Sequence, residues 1–321
     1  MSVKLENRKE IYSLERERPQ RHVGEYFHII KFREKYLLFY CCDDLIKIVT
    51  SDSPSFEDRE VSSIIENSPG GCFCPVVMGD KIYILVGRHG SKKGDNEMEF
   101  PDFVWPDEKR TITDWRESRE DRQNGMYLLS SADGNTWKEE SDRPVLHGYE
   151  SSESVKLGQI GFDTSPFLIQ RDDRYFFYGR LNSSLDERQI YVRTSKDLNI
   201  WSVPKKIVIE NESTGTHKNN YYNPVVFEYQ GSLYMFTPYF ESCGTTERRS
   251  WAGKTILMNS VDGETWKIIG SALPHDGKYK HRVNSVILSG DEKKVFFREN
   301  VTLNNQHFVC YNFFLGDENE A

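Results

Sequence analysis

Short apolar runs separated by polar turns make up most of the chain. In one example, the apolar segments 166–169 and 175–178 flank the polar turn 170–174, and this arrangement is typical of a β-hairpin. No segment of useful length repeats its apolar residues with the helical period of 3.6. The pattern therefore predicts an all-β protein.

A short segment recurs four times and identifies a repeated turn. Each copy has Ser or Thr, any residue, Asp, three residues and then an aromatic residue, in TSDSPSF (50–56), SADGNTW (131–137), SKDLNIW (195–201) and SVDGETW (260–266). An Asp at this position accepts hydrogen bonds from the backbone amides that follow it, and the aromatic residue folds back onto the sheet. We therefore predict a structural role for Asp52, Asp133, Asp197 and Asp262.

A similar series of strands precedes each turn, and a fifth series follows without one. The five series begin with YFHIIKF, CFCPVVM, TSPFLIQ, YNPVVFEY and VNSVILSG. Units of three to four strands that recur about every 65 residues are typical of propeller blades. The sequence thus predicts one five-bladed β-propeller over residues 1–321, with the N-terminal KEIYSL segment pairing with the last blade to close the ring.

A polar insertion over residues 89–124 separates the second and third strands of blade 2. It explains why the first interval between turns, from Asp52 to Asp133, is longer than the others. Four aromatic residues lie within it, whereas a disordered linker is poorer in aromatics. We expect an ordered flap.

The strand order brings many polar and aromatic residues to one face of the propeller. In each blade the first strand starts at this face and the second strand returns to it. The residues concerned are Glu25, His28, Asp163, Tyr221, Tyr222, Asn223 and Arg282 at strand starts, and Arg88, His89, Arg180 and Glu241 at returning ends. Such a funnel at the axis is typical of a pocket for a polar, hydroxyl-rich ligand.

Alternatives remain open for several of these residues. Arg88 and Arg180 occupy the same place in adjacent blades, as GRHG and GRLN, and either bind ligand through their forked donors or form salt bridges with Asp163 or Glu25. Tyr221 and Tyr222 either stack on a sugar or pack between blades. His28 is either a catalytic histidine or part of the core or pocket wall.

The segment FDTSPFLIQRDDRYFFYGRLN, followed by IYVRTSKDLNIWSVP, resembles the third blade of the five-bladed glycoside hydrolases of families 32, 43, 68 and 117, the β-fructosidase-like superfamily. The resemblance implies a nucleophile or base in blade 1, a transition-state stabiliser in blade 3 and a general acid in blade 4. Asp163 matches the stabiliser, and Glu25 is the carboxylate nearest to the first position. The acid position holds Tyr222 and Asn223, which leaves Glu241 or Glu299 as substitutes.

These observations support two functions and disfavour others. The first is a glycosidase that acts on an unidentified carbohydrate, and the second is a carbohydrate-binding or catalytically degenerate propeller. A protein-interaction platform would present an apolar face rather than a charged funnel. A net charge of −8 argues against a nucleic-acid partner.

The remaining features concern location and cofactors. The first 20 residues lack the apolar core of a signal peptide, and no apolar run approaches the roughly 18 residues of a membrane span. The six cysteines form neither a disulfide framework nor a zinc site. We expect a cytoplasmic protein without membrane association, cofactor or metal, although a central cation held by carboxylates is an open alternative.

Overall fold

A computed structural model describes most of the chain. The described residues are 2–15, 27–42, 45–65, 73–88, 125–142, 144–147, 166–184, 187–210, 218–221, 223–242, 254–271, 280–289, 291–302 and 305–316. Every named element within these ranges is a β-strand, so the all-β prediction is confirmed. The described part of the chain contains no helix that is long and apolar enough to cross a membrane.

The strands are numbered in chain order. They are β1 (Ser2–Glu15), β2 (Phe27–Phe32), β3 (Lys35–Cys42), β4 (Leu45–Ser51), β5 (Glu60–Ile65), β6 (Phe73–Met78), β7 (Lys81–Arg88), β8 (Gly125–Ser131), β9 (Lys138–Glu139), β10 (Leu146–His147), β11 (Phe167–Arg171), β12 (Arg174–Ser184), β13 (Glu187–Ser195), β14 (Lys205–Lys206), β15 (Val208–Ile209), β16 (Lys218–Tyr221), β17 (Val225–Tyr229), β18 (Ser232–Ser242), β19 (Lys254–Ser260), β20 (Thr265–Ser271), β21 (Lys280–Ser289), β22 (Glu292–Thr302) and β23 (Asn305–Gly316).

These strands form five sheets, one for each predicted blade. Blade 1 has the order β2-β3-β4-β5, blade 2 β6-β7-β8-β10, and blade 3 β11-β12-β13-β14. Blade 4 has the order β16-β18-β19-β20-β15, with β17 also paired to β18, and blade 5 has the order β21-β22-β23-β1. The strands β2, β6, β11, β17 and β21 each contact the next, and β21 contacts β2, so they form a closed inner ring. The five-bladed propeller is confirmed.

The N-terminal strand closes the ring. It pairs antiparallel with β23 from Ser2 opposite Gly316 to Glu15 opposite Asn305. Arg8 on this strand forms an ion pair with the buried carboxylate of Glu299 on β22. The predicted pairing of the KEIYSL segment with the last blade is therefore confirmed. The chain that leaves blade 3 adds a strand to blade 4, because β15 pairs parallel with β20.

Apolar side chains fill the space between neighbouring blades. Between blades 3 and 4, for example, Tyr178 lies edge-on to the fully buried Trp266, with ring centroids 5.9 Å apart. Tyr178 also donates its hydroxyl proton to the backbone carbonyl of Gly263, at 2.9 Å. Burial of one such aromatic side chain stabilises the fold by roughly 1.5–3 kcal/mol, so these interfaces hold the blades together.

Three of the four repeated turns have the predicted geometry. The Oδ1 atom of Asp133 accepts from the amides of Asn135 and Thr136, both at 2.8 Å. Asp197 and Asp262 accept from the residues two and three positions further along in the same way. The structural role predicted for these three acids is confirmed.

The first turn departs from the prediction. Asp52 is exposed and forms an ion pair with Lys35, while Asp58 accepts from the amide of Asp52 at 3.1 Å and from the hydroxyl of Ser51. The residue two positions after Asp52 is Pro54, which has no amide proton to donate. Asp58 therefore takes the stabilising role that was predicted for Asp52.

The insertion over residues 89–124 lies outside the described residues, and the ordered flap stays a prediction. Its two ends are described, since β7 ends at Arg88 and β8 begins at Gly125. These two residues pair with each other in the sheet. The insertion thus leaves and rejoins blade 2 at a single point.

Candidate functional site

The inner parts of four blades meet around a small cavity, which we call the axial cavity. Four blades contribute the residues that line it, namely Phe27, His28, Pro166, Phe167, Asn223, Pro224, Val225, Val283 and Asn284. The space within it is about 10 Å³, roughly the room that one water molecule needs. The inner parts of blades 1, 3, 4 and 5 thus converge on this cavity.

His28 forms one wall of the axial cavity and is neutral. It is 6% exposed, and its ring contacts the rings of Phe73 and Phe167, with centroids 5.3 and 5.6 Å away. Burial lowers the pKa of His28 to about 3, although a hydrogen bond to the backbone of Phe73 opposes this shift. One ring nitrogen of neutral imidazole is a donor and the other an acceptor. His28 therefore offers hydrogen bonds without carrying charge.

Asn223 occupies a bulge in the inner part of blade 4. Tyr221 on β16 pairs with Tyr239, and Val225 on β17 pairs with Phe236, so three residues between them face two on β18. Asn223 adopts a φ of 37°, a region in which Asn is several-fold enriched. Its side chain is 4% exposed, and its Nδ2 atom has no hydrogen-bond partner among the described residues.

Asn284 reaches the axial cavity from a second bulge in blade 5. Val283 pairs with Phe297 and Ser285 pairs with Phe296, so Asn284 is the extra residue of β21. Ser285 joins this strand to blade 1, because its hydroxyl donates to the backbone carbonyl of Ile29 at 2.7 Å. Bulges redirect side chains next to functional sites, and here they bring amides from two adjacent blades to one cavity.

Tyr221 packs between blades. It is fully buried, and its ring centroid lies 5.5 Å from that of Tyr239. The same apolar cluster includes Phe176 and Ile190 of blade 3. Of the two interpretations of Tyr221, this position fits packing rather than sugar stacking.

Glu299 has structural partners that occupy its carboxylate. Its side chain is 6% exposed and accepts from the guanidinium of Arg8 and from the hydroxyl of Tyr311, the latter at 3.1 Å. Burial and the nearby Glu299 carboxylate raise the pKa of Tyr311 to about 12. Glu299 thus holds the closing strand β1 in place, which argues against its use as a substitute general acid.

The other predicted site residues fall into two groups. For four of them the structure describes only the backbone, within β7, β12, β18 and β21, and these are Arg88, Arg180, Glu241 and Arg282. The strand pairing sets Arg180 opposite Ile190, Glu241 opposite Asn219 and Arg282 opposite Arg298. The remaining four lie outside the described residues and are Glu25, His89, Asp163 and Tyr222. The roles of all eight stay predictions.

Sequence reasoning missed the apolar part of the cavity wall. Phe27 and Phe167 are the first residues of β2 and β11, and both line the cavity. An aromatic residue at the first position of two inner strands was the available signal.

Among the described residues, no group of three or more His, Cys, Asp or Glu side chains is arranged to hold a metal ion.

Comparison with solved structures identifies the fold. A thermostable family-43 glycoside hydrolase matches with a TM-score of 0.60 and 14% identity, over 92% of this chain and 90% of that chain. The endo-arabinase of Bacteroides thetaiotaomicron matches with a TM-score of 0.58 and 12% identity, over 93% and 96%. The chain has the five-bladed propeller fold of these glycoside hydrolases.

The GH32 β-fructofuranosidase of Bombyx mori has the same fold in a longer chain. It matches with a TM-score of 0.57 and 15% identity, over 94% of this chain but 61% of that one, and a variant of it has been solved with sucrose bound. No protein-family model matches the sequence, and no curated protein matches it either.

Proposed function

We propose that the protein binds a carbohydrate at the axial cavity and hydrolyses one of its glycosidic bonds. The observation that carries the proposal is the convergence of four inner strands on a cavity with polar groups, in a propeller whose structural neighbours are glycoside hydrolases. The sucrose complex of the Bombyx mori enzyme supports a carbohydrate as the ligand.

In this proposal three carboxylates divide the chemistry. Asp163 stays ionised and stabilises the oxocarbenium-like transition state, and Glu25 acts as nucleophile or base. Glu241 is the candidate acid that protonates the leaving oxygen, which requires its carboxyl group to be kept protonated. Arg88, His89, Arg180 and Arg282 hold the hydroxyl groups of the sugar around them.

A second function, carbohydrate binding without hydrolysis, is favoured by one specific observation. The position at which the resemblance implies a general acid holds Tyr222 and Asn223 here, and neither a phenol nor an amide is a carboxylic acid that protonates a leaving group. The described lining of the axial cavity contains two amides and a neutral histidine but no carboxylate.

The two functions are separated by assaying hydrolysis with wild type and Asp163→Asn. The substrates are labelled oligosaccharides of arabinan, xylan and fructan. We expect cleavage of at least one of them, lowered by about 100-fold or more in Asp163→Asn because a charge that stabilises the transition state is lost. Asp173→Asn is the matched control, since Asp173 is an exposed acid in the turn of the same blade-3 hairpin.

Two other results of this assay would contradict the proposed hydrolysis or the role of Asp163. If no substrate is cleaved but an oligosaccharide still binds, the second function replaces the first. Cleavage that is equal in wild type and Asp163→Asn would show that Asp163 has no catalytic role.

A further inference from the structure

Four exposed apolar side chains belong to the adjacent blades 3 and 4. Ile200, Val203 and Val261 are 77%, 75% and 76% exposed, and Val208 on β15 is 54% exposed. Seven large apolar side chains are exposed in the described part of the chain, so these four are more than half of them. Single exposed apolar residues are ordinary, whereas a group of them on one area marks an interaction surface.

Backbone and side-chain bonds hold these four residues in one area, which we call the blade 3–4 patch. The amide of Val208 donates to the carbonyl of Glu264 at 2.9 Å, and the side chains of Lys205 and Glu264 form an ion pair. Because an extended chain spans at most about 3.6 Å per residue, Val203 lies within roughly 7 Å of Lys205. Val261 lies within roughly 11 Å of Glu264 for the same reason. The fourth member of the patch precedes Val203 by three positions.

The fold uses the backbone of these residues but does not need their side chains to be apolar. In the blade 3 turn, the amide of Ile200 donates to Oδ1 of Asp197 at 2.9 Å, and Thr136 donates its amide in the equivalent position of blade 2. Val261 accepts from the guanidinium of Arg171 through its backbone carbonyl, at 2.6 Å. An exposed apolar side chain at either position therefore has another use.

Two of the four positions hold polar residues in blade 2. Counted from the Trp of the turn, Thr136 stands in the place of Ile200. Glu139 stands in the place of Val203 in the same way, and its side chain is exposed. Blade 3 thus presents apolar residues where a blade of the same chain presents polar ones, which is expected of a surface that another molecule covers.

The charges beside the patch are equal and opposite on its two sides. Residues 195–206 on blade 3 contain three lysines and one aspartate, a net charge of +2. Residues 208–210 and 260–267 on blade 4 contain three acids and one lysine, a net charge of −2. A surface with apolar residues on both sides and opposite charges on the two sides is complementary to a second copy of itself that is rotated by 180°.

We infer that the blade 3–4 patch is the contact surface of a twofold symmetric dimer of this chain. The apolar residues of blade 3 pack against those of blade 4 in the second copy, and the lysines of the first side face the acids of the second. An apolar centre with a charged rim is typical of such interfaces. The inference is independent of the proposed carbohydrate function, because the described lining of the axial cavity includes none of these residues.

Sedimentation velocity of the purified chain, at concentrations from about 1 to about 100 µM, measures dimer formation. We expect wild type to change from monomer to dimer over this range. In the double variant Ile200→Thr/Val203→Glu the dissociation constant rises about tenfold or more, because apolar contacts are lost and a charge enters the interface. Both new residues occupy the equivalent positions in blade 2, so they are compatible with the turn.

A matched control makes the same change on another blade. Val61→Thr/Ile64→Glu replaces two exposed apolar residues of blade 1, and we expect its dissociation constant to equal that of wild type. Thermal unfolding of every variant checks that each is folded.

A charge exchange tests the twofold arrangement. Lys206 and Glu210 are exposed on the two sides of the patch. We expect Lys206→Glu and Glu210→Lys each to raise the dissociation constant about threefold or more, because like charges then meet across the interface. The two substitutions together bring opposite charges face to face again and restore dimer formation, which a mere loss of folding stability would not do.

Three results would overturn the inference. The first is a wild type that stays monomeric up to about 100 µM. The second is a dimer that Ile200→Thr/Val203→Glu leaves unchanged or that the blade 1 control weakens equally. The third is a combined charge exchange that is no better than either single substitution.

Discussion

At the scale of single residues, burial decides the ionisation state of His28. The ring is enclosed by Phe73 and Phe167, and desolvation disfavours the imidazolium form. The pKa of His28 is lowered to about 3, so the residue stays neutral across the physiological range. As a neutral residue of the cavity lining, His28 donates and accepts hydrogen bonds but does not act as a charged proton donor.

This state has a consequence for stability that is open to measurement. The pKa is about 3 in the folded protein and about 6.5 in the unfolded chain, so the unfolded state binds the extra proton between these values. The contribution of His28 is fully present above pH 6.5 and is lost as the pH falls towards 3. We expect the stability advantage of wild type over His28→Gln to shrink by up to about 1.4 kcal/mol per pH unit below pH 6.

Urea unfolding of both proteins at pH 5.0, 6.0 and 7.5 measures this difference. Gln is a suitable replacement because it retains a donor and an acceptor but does not titrate. A difference in unfolding free energy that is the same at all three pH values would contradict a buried, neutral His28.

The sequence predicted the positions of some residues of the candidate site but not their local geometry. His28 and Asn223 were both expected near the pocket, because each lies close to the start of an inner strand. The positive φ and buried amide of Asn223 were not foreseen, since a bulge depends on the pairing register of β16 and β17 with β18. The partners of Glu299 were also missed, because Arg8 lies 291 positions away in the sequence.

At the scale of elements, one proline decides whether a repeated Asp turn forms its predicted hydrogen bonds. Asp133, Asp197 and Asp262 each accept two backbone amides. In the turn of Asp133, the amides of Thr136 and Asn135 lower the pKa of the carboxyl group to about 2. Pro54 prevents the same arrangement around Asp52, and this exception was readable from the sequence once the donor positions were known.

We expect Asp133→Ala to destabilise the protein by about 1 kcal/mol, because two amides lose their charged acceptor. Asp52→Ala is the matched control from the equivalent turn. It removes one exposed ion pair with Lys35, which is worth roughly 0–1 kcal/mol, so its effect is smaller. Chemical unfolding of the two variants gives the comparison.

Equal destabilisation by these two substitutions would contradict the assignment of the turn in blade 1. The same experiment at pH 4.5 and 7 adds a check, because the depressed pKa of Asp133 keeps its contribution to stability present over this range. That contribution declines below the unfolded-state pKa of about 3.8 and is lost as the pH falls through about 2.

At the scale of the whole molecule, strand repetition and closure were predictable and the shape of the cavity was not. The recurrence of strand series and Asp turns was enough to predict five blades, since each series forms one sheet. The fifth series was distinguished in the sequence by its lack of an Asp turn, and the KEIYSL segment that was predicted to pair with it lies in β1, the outer strand of that blade. The cavity depends on how the inner strands of four blades meet. Tertiary packing sets its apolar wall, although the aromatic residues at the first positions of β2 and β11 gave a partial signal in the sequence.

The central claim is that the axial cavity, rather than the Asp turns, is the carbohydrate site. Its most direct test is a titration of the ¹⁵N-labelled protein with oligosaccharides of arabinan, xylan and fructan, monitored by NMR. We expect the side-chain amides of Asn223 and Asn284 and the ring of His28 to shift on binding, while the amides of Asn135, Asn199 and Glu264 in the Asp turns stay unchanged. Shifts confined to the Asp turns, with the residues of the axial cavity unaffected, would contradict the claim.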